Sequence, residues 1–372
     1  MKQATPPALG FLEDELAEAK RRALIRERIP PGARQGICFC SNDYLDLANR
    51  PAPIGASGSG ASRLVSGERQ EHVQLEQAAA DLVQLPEALV FSTGYAANVG
   101  LIAALARPDD LVVSDELNHA SLVDGVRLSR ARVSVIRHLD LSAVERALRE
   151  RGRGNAFVVT ESYFSMDADG PDLRALRALC DAYGAALLVD EAHALGVLGP
   201  DGRGLCAEAG VVPDALVGTF GKAFGAAGAF VAGCPALMTW LWNRARTFVF
   251  STGLSPTVAA AAFAGLRTAQ DEPSRRHRVV SAARGLRKAL AEHGVRTPGF
   301  GHIVPWVIGD SAAALRAATG LGIRGIDVRA IRPPSVPKGK ARLRFTVTAA
   351  HSPTDIERAG EAVAAVLEGG RP

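Results

Sequence analysis

Lys222 is the only lysine between Lys20 and Lys288, and it stands in Thr219-Phe220-Gly221-Lys222-Ala223-Phe224-Gly225, just after an apolar run that reads as a strand. In a chain whose cations are mostly arginine, a retained lysine fits a position that needs deprotonation. Guanidinium stays charged, whereas a desolvated amine becomes a nucleophile or base. A surface lysine beside a turn glycine accounts for the same residues. Upstream, Leu187-Leu188-Val189-Asp190-Glu191-Ala192-His193 is an apolar strand ending in two acids and a histidine. Such a string serves either to hold magnesium beside a nucleotide or to keep a proton on a heteroaromatic ring nitrogen. The magnesium use requires a phosphate loop of the form G-x-x-x-x-G-K-[ST]. Around Gly221-Lys222, Leu216 takes the place of the first glycine and Ala223 that of the hydroxyl, and the pair follows the acidic string instead of preceding it.

Two weaker signals precede these. Phe91-Ser92-Thr93-Gly94-Tyr95-Ala96-Ala97-Asn98 passes from a strand through a glycine turn into an apolar helix, aiming free backbone N–H groups at an anion. An ordinary strand-to-helix connection has the same form. His119 in Leu117-Asn118-His119-Ala120-Ser121 suits either a ring lying flat on an aromatic cofactor or a helix start. The Gly58-Ser59-Gly60-Ala61-Ser62-Arg63 stretch falls short of a dinucleotide loop, because Arg63 replaces the third glycine and no strand precedes it.

The elements that must position these residues are short apolar runs at 88–92, 111–115, 133–137, 156–161, 185–190, 215–219 and 229–233, alternating with amphipathic stretches at 141–151 and 173–183. That alternation predicts an α/β sheet covered by helices, with its site at the carboxyl ends of the strands. After about residue 266 the pattern becomes that of a smaller α+β domain: a charged helix over 275–293, a strand near 303–308, a helix from 312 and a strand over 342–348. An amphipathic helix over 9–29, ended by Pro30-Pro31, leads to the Ser41-Asn42-Asp43-Tyr44 turn. The expected division is an N-terminal helix and arm, 1–40, a large domain, 41–266, and a small domain, 267–372.

The chain has 372 residues, 47% hydrophobic and 22% charged, with a net charge of +4, which is globular composition with no basic block to attract nucleic acid. The uncharged run over 223–242 is broken by Gly225, Gly228, Gly233 and Pro235, so buried interior is a better reading than a membrane span. Cys38, Cys40, Cys180, Cys206 and Cys234 show no paired C-x-x-C arrangement, and neither a metal cluster nor a disulfide framework is expected. With no secretory signal at its start, the chain is expected in the cytoplasm.

The order glycine turn, histidine, 161–169, Asp190/His193, Thr219/Lys222 resembles the fold-type-I pyridoxal 5'-phosphate (PLP) enzymes, and within them the α-oxoamine synthases. The resemblance covers nearly the whole chain, from Ser41-Asn42-Asp43-Tyr44-Leu45 through Gly67 and Thr160-Glu161-Ser162-Tyr163-Phe164-Ser165-Met166-Asp167 to Ala330-Ile331-Arg332-Pro333-Pro334-Ser335-Val336-Pro337 and Arg342-Leu343-Arg344. It implies a mostly parallel seven-stranded sheet and PLP carried on Lys222, with Asp190 on the ring nitrogen and His119 stacked on the ring. His193 and Ser165 would meet the ring hydroxyl, Gly94, Tyr95 and Thr219 the phosphate, and Ser251 and Thr252 the phosphate of a neighbouring subunit in a homodimer with shared active sites. Arg344 would hold an amino-acid carboxylate, with Arg26 and Ser335 at the acyl substrate; Arg21, Arg22 and Arg28 compete with Arg26.

The implied reaction is the decarboxylative condensation of L-alanine with pimeloyl-CoA or pimeloyl-acyl carrier protein that serves biotin synthesis. Siblings using glycine, the glycine C-acetyltransferases and 5-aminolevulinate synthases, and a non-catalytic PLP-binding regulator are the alternatives. The regulator would need a DNA-binding module, of which the sequence carries no sign. Three features depart from the family pattern: Ala61 and Ala194 replace glycine-like positions, and 47–58 is short, trimming a surface helix or altering the edge of the acyl channel.

Overall fold

A computed structural model describes residues 6–26, 28, 30 and 36–369. In chain order the elements are α1 Phe11–Arg21, β1 Ile37–Cys38, α2 Gln70–Val83, β2 Glu87–Phe91, α3 Gly94–Leu105, β3 Leu111–Asp115, α4 Ala120–Ser129, β4 Arg132–Ile136, α5 Leu141–Arg149, β5 Ala156–Glu161, α6 Leu173–Tyr183 and β6 Ala186–Asp190. Next come α7 Gly204–Ala209, β7 Ala215–Thr219, β8 Ala229–Gly233, α8 Pro235–Arg244, α9 Arg246–Val249, α10 Pro256–Asp271, α11 Pro273–Glu292, β9 Ile303–Gly309, α12 Ser311–Ile323, β10 Ile326–Asp327, β11 Arg329–Ile331, β12 Ala341–Thr346 and α13 Pro353–Glu368.

The large unit, residues 42–281 with 348–350, is built on a seven-stranded sheet in the order β2-β8-β7-β6-β5-β3-β4. Within it only β8 runs against the others, pairing antiparallel with β2 and β7. Strands β3, β5, β7 and β8 are buried at every residue, which requires apolar side chains on both faces and explains their unbroken Val, Leu and Ala runs. Successive residues enter opposite cores: Val112, Phe157, Leu188 and Val217 on one side, and Val113, Val158 and Leu187 on the other. The edge strand β4 leaves Val133 and Val135 exposed. Helices α5 and α6 bury the stripes Val144/Leu148 and Leu173/Leu176/Cys180 against one face. Since β2, β3, β5, β6 and β7 point the same way, the segments after all five gather at one edge.

The small unit, 1–41 with 282–347 and 351–372, holds a three-stranded antiparallel sheet, β11-β12-β9, and a parallel ribbon of β1 and β10. Its core joins Phe39, Leu286, Leu321, Ile326, Phe345 and Val363. The unit boundary falls at 281/282, where the sequence pattern places it at 266/267. Burial explains the shift, because Ala259, Ala262, Leu266, Ala269 and Val279 all join the large unit's core, whereas Ala282 and Ala283 pack with the small one.

The helix expected over 9–29 is shorter. A 3-10 turn Pro7–Leu9 precedes α1, which stops at Arg21. Ala23 adopts a left-handed φ of 53°, and the Leu24 N–H closes onto the Ala19 carbonyl at 2.8 Å. The Arg332 guanidinium takes the Ala23 and Ile25 carbonyls that a longer helix would have used internally. Glu27, Ile29 and Pro31 lie outside the described residues. Segment 47–58 forms neither helix nor strand.

Gly265 shows how tightly α10 meets the chain that carries Lys222: a Cβ there would fall 2.0 Å from the Phe224 carbonyl oxygen. Alanine gains about 1 kcal/mol over glycine in a helix interior, but a backbone collision costs more. Gly265→Ala is therefore expected to destabilise the protein by about 1–3 kcal/mol, read from the midpoint of urea unfolding; an unchanged or raised midpoint would refute this packing.

Candidate active site

Asp190 ends β6 and is 7% exposed. Its Oδ2 accepts from Asn98 Nδ2 at 2.7 Å, and its Oδ1 from the Ala192 N–H at 2.8 Å. Asn98, on the buried side of α3, gives its second N–H to Ser121 Oγ at 2.9 Å. Ser121 Oγ lies 2.7 Å from His119 Nδ1, and the Ser121 N–H donates to the same nitrogen at 3.2 Å. His119 Nδ1 is thus an acceptor, which leaves the ring proton on Nε2. Burial pushes the imidazole pKa down; Lys222 pushes the same way and Asp190 opposes them. His119, Asp190 and Lys222 accordingly share one electrostatic environment, with His119 neutral.

Glu161, at the end of β5, completes this group. It accepts the His119 N–H at 2.8 Å and a backbone N–H from Ser165. Its carboxyl pKa is pushed up to about 8, by burial first and by Asp190 second, with Lys222 pulling the other way. Beside it, buried Glu191 accepts Ser162 Oγ–H at 2.7 Å and the Cys206 N–H at 2.6 Å, and burial raises its pKa too. His193 Nδ1 lies 2.6 Å from the Tyr44 hydroxyl.

At the start of α3, Thr93 Oγ1 caps the Ala96 N–H at 3.0 Å, leaving the first N–H groups of the helix directed out of its end. Thr219 faces them, since the one neighbour that a Cβ on Gly94 would meet is the Thr219 side chain, at 3.9 Å. This room beside helix N–H groups and a hydroxyl is what a phosphate requires. The Tyr95 side chain is half-exposed and donates to Asp124. Ser251 and Thr252 line a recess with Ser92, Arg63 and Phe248. Arg63 is a buried cation: burial alone would lower its pKa, but hydrogen bonds to Glu68 and Glu76 outweigh that and raise it.

The remaining candidates belong to the small unit. Arg26 donates to Ser335 Oγ at 3.1 Å, so of the N-terminal arginines considered from sequence it is this one that meets Ser335. Arg344, on β12, is 7% exposed and donates to Thr346 Oγ1 at 2.8 Å.

Sequence reading missed Asn98 and Ser121, although Asn98 is conspicuous as an amide inside the apolar α3. It also missed His138. The His138 ring bridges two carboxylates, with Nδ1 3.0 Å from Asp115 and Nε2 3.2 Å from Asp169, and it packs edge-on against Phe164. This ties the ends of β3 and β4 to the 162–169 loop that presents Ser165.

A model of the class I and II aminotransferases matches residues 34–363. The 8-amino-7-oxononanoate synthase of Methylococcus capsulatus is 48% identical over 96% of this chain and 97% of its own, and that of Aromatoleum aromaticum is 44% identical over 95% and 98%. The chain belongs to the 8-amino-7-oxononanoate synthase family. Like that family it is a PLP-dependent acyltransferase of fold type I. Among solved structures, Sphingomonas wittichii serine palmitoyltransferase is similar with a TM-score of 0.90 and 28% identity, covering 99% of this chain and 100% of that one. The Francisella tularensis 8-amino-7-oxononanoate synthase gives 0.76 and 25%, covering 90% and 98%. The cradle at α3, the fixed Asp190 carboxylate and the neutral His119 fit the family's cofactor in donor chemistry and in charge.

The two carboxylates raise the His138 pKa to about 10 against the burial that would lower it. A folded pKa above the unfolded value of about 6.5 contributes stability that is complete below pH 6.5 and lost as pH rises through about 10. His138→Gln should therefore cost about 2 kcal/mol at pH 6, a gap that narrows toward pH 11 in paired unfolding curves. A gap independent of pH would rule out the charged bridge.

Proposed function

We propose that this chain condenses L-alanine with a pimeloyl thioester, on coenzyme A or acyl carrier protein, to give 8-amino-7-oxononanoate, carbon dioxide and free thiol. The observation that carries this reading is the joint placement of Lys222, Asp190 and a neutral His119, in a chain 48% identical to a synthase of that name.

Bound PLP supplies an electron sink for the amino-acid α-carbon. Asp190 holds a proton on its ring nitrogen, the carboxylate being fixed for this by Asn98 and the Ala192 N–H. Neutral His119 would meet the ring without adding a charge. The N–H groups of Gly94 and Tyr95 with the Thr219 hydroxyl hold the phosphate, while His193 and Ser165 meet the ring hydroxyl. Lys222 would carry the cofactor, and its Nζ would take the α-proton, a role open to an amine and closed to guanidinium.

Arg344 pairs with the alanine carboxylate through two parallel N–H bonds, which fixes the α-hydrogen for transfer. Arg26 and Ser335 hold the acyl chain. Ser251 and Thr252 reach the phosphate bound by a second copy of this chain, making the homodimer the active form. In the described residues no helix is long and apolar enough to cross a membrane. The free cysteines are consistent with a reducing, cytoplasmic setting.

The deciding experiment mixes purified holoenzyme with L-alanine, glycine or L-serine and follows the visible spectrum, then adds pimeloyl thioester and follows thiol release. A response to alanine with thiol release supports the reading. A response confined to glycine or serine moves the assignment to a sibling reaction. Lys222→Ala should keep cofactor binding and lose at least about 100-fold in turnover; sustained turnover in that variant would sink the proposed base. Arg344→Lys is expected to raise the KM for alanine by about 10-fold or more while the KM for thioester holds.

A further inference from the structure

The parallel ribbon brings Asp327 beside Cys38 and Cys40, from which it lies far in sequence. Cys38 is in register with Asp327, and the Phe39 N–H between the two cysteines donates to the Asp327 carbonyl at 2.8 Å. Phe39 is buried in the small unit's core, so the alternation of extended chain sends Cys38 and Cys40 to one side together, away from that core. Their sulfurs stand 3.6 Å apart, and Cys40 Sγ lies 3.5 Å from Asp327 Oδ2. The ligand atoms of all three residues fall within 4.8 Å of one another.

These separations decide what the cluster suits. Two sulfurs bound tetrahedrally at about 2.3 Å from zinc stand about 3.8 Å apart, and a sulfur and a carboxylate oxygen at about 2.0–2.2 Å stand about 3.5 Å apart. Both match the observed spacing with shifts of a few tenths of an ångström. A disulfide suits it poorly: residues two apart on a strand rise about 3.3 Å each, putting their Cα atoms near the upper limit of about 6.8 Å for a bridge. Arg329 holds the other carboxylate oxygen, with its guanidinium 3.0 Å from Oδ1, which turns Oδ2 toward the sulfurs. Cys38 is exposed and Cys40 half-buried, so an ion enters from solvent and keeps water as its fourth ligand.

We propose that Cys38, Cys40 and Asp327 form a binding site for a thiophilic divalent cation of the zinc and cadmium class. Binding forms two metal–sulfur bonds and one metal–oxygen bond, and each thiol that still carries its proton releases it to solvent. The cation pins β1 to β10.

The test uses reduced, metal-stripped holoenzyme titrated with Cd2+ alone, reading the thiolate-to-metal charge-transfer band in the ultraviolet and the metal retained after desalting. One tightly held ion per chain is expected. Cys38→Ser and Cys40→Ser should each abolish it while Cys180, Cys206 and Cys234 remain, with circular dichroism confirming the fold. Arg329→Ala should weaken binding by about 10–100-fold. Retention of the ion in either serine variant, or no uptake by the reduced parent protein, overturns the site; so does a Cys38–Cys40 disulfide as the sole product of exposing the stripped protein to air and Cd2+.

Discussion

Burying a carboxylate costs several kcal/mol unless donors surround it, and Asp190 meets that demand with donors from α3 and from the turn after its own strand. The turn that follows its strand supplies the Ala192 N–H, α3 supplies Asn98, and Asn98 extends the chain of bonds to Ser121 and His119 at the start of α4. The register of α3 against α4 is thereby tied to a charge at the end of β6. Glu161, one strand over, accepts the His119 backbone N–H and closes the arrangement from the other side. Losing Asn98 would leave both Asp190 and Ser121 short of a donor at once, which is why an amide occupies the middle of an otherwise apolar helix.

The seven strands of the large sheet were legible because buried parallel strands are short, apolar and punctuated by turns. Only the ends moved, as with 88–92 observed at Glu87–Phe91. Lys222, Asp190 and His119 stand out as candidates for a related reason: Asp190 closes one of those runs, and His119 and Lys222 follow soon after two others, where polar chemistry is unusual enough to show. Asn98 and Ser121 were harder to read because their role comes from contacts across helices, and spacing along the chain does not encode these. His138 was hidden in the same way, as its two partners lie before and after it, one on β3 and the other in the loop after β5. The N-terminal helix was overextended because nothing local marks its end. The carbonyls freed at Ala23 and Ile25 go to Arg332, which sequence pattern cannot place beside them.

The small unit adds the same lesson at a larger scale. Its two-residue strands β1 and β10 are too short for any periodicity to announce, yet they set Phe39 in a core and bring Asp327 beside two thiols. The cysteines looked scattered because the third ligand arrives from 287 residues further along the chain.

That separation also bears on how the polypeptide matures. The large unit draws almost all its residues from one continuous stretch, so most of it can assemble while the ribosome is still at work. The small unit cannot, since β1 and its partner β10 lie on either side of that stretch. Until β10 is made Phe39 lacks the core it enters, and the nascent segment presents an apolar ring between two unburied thiols.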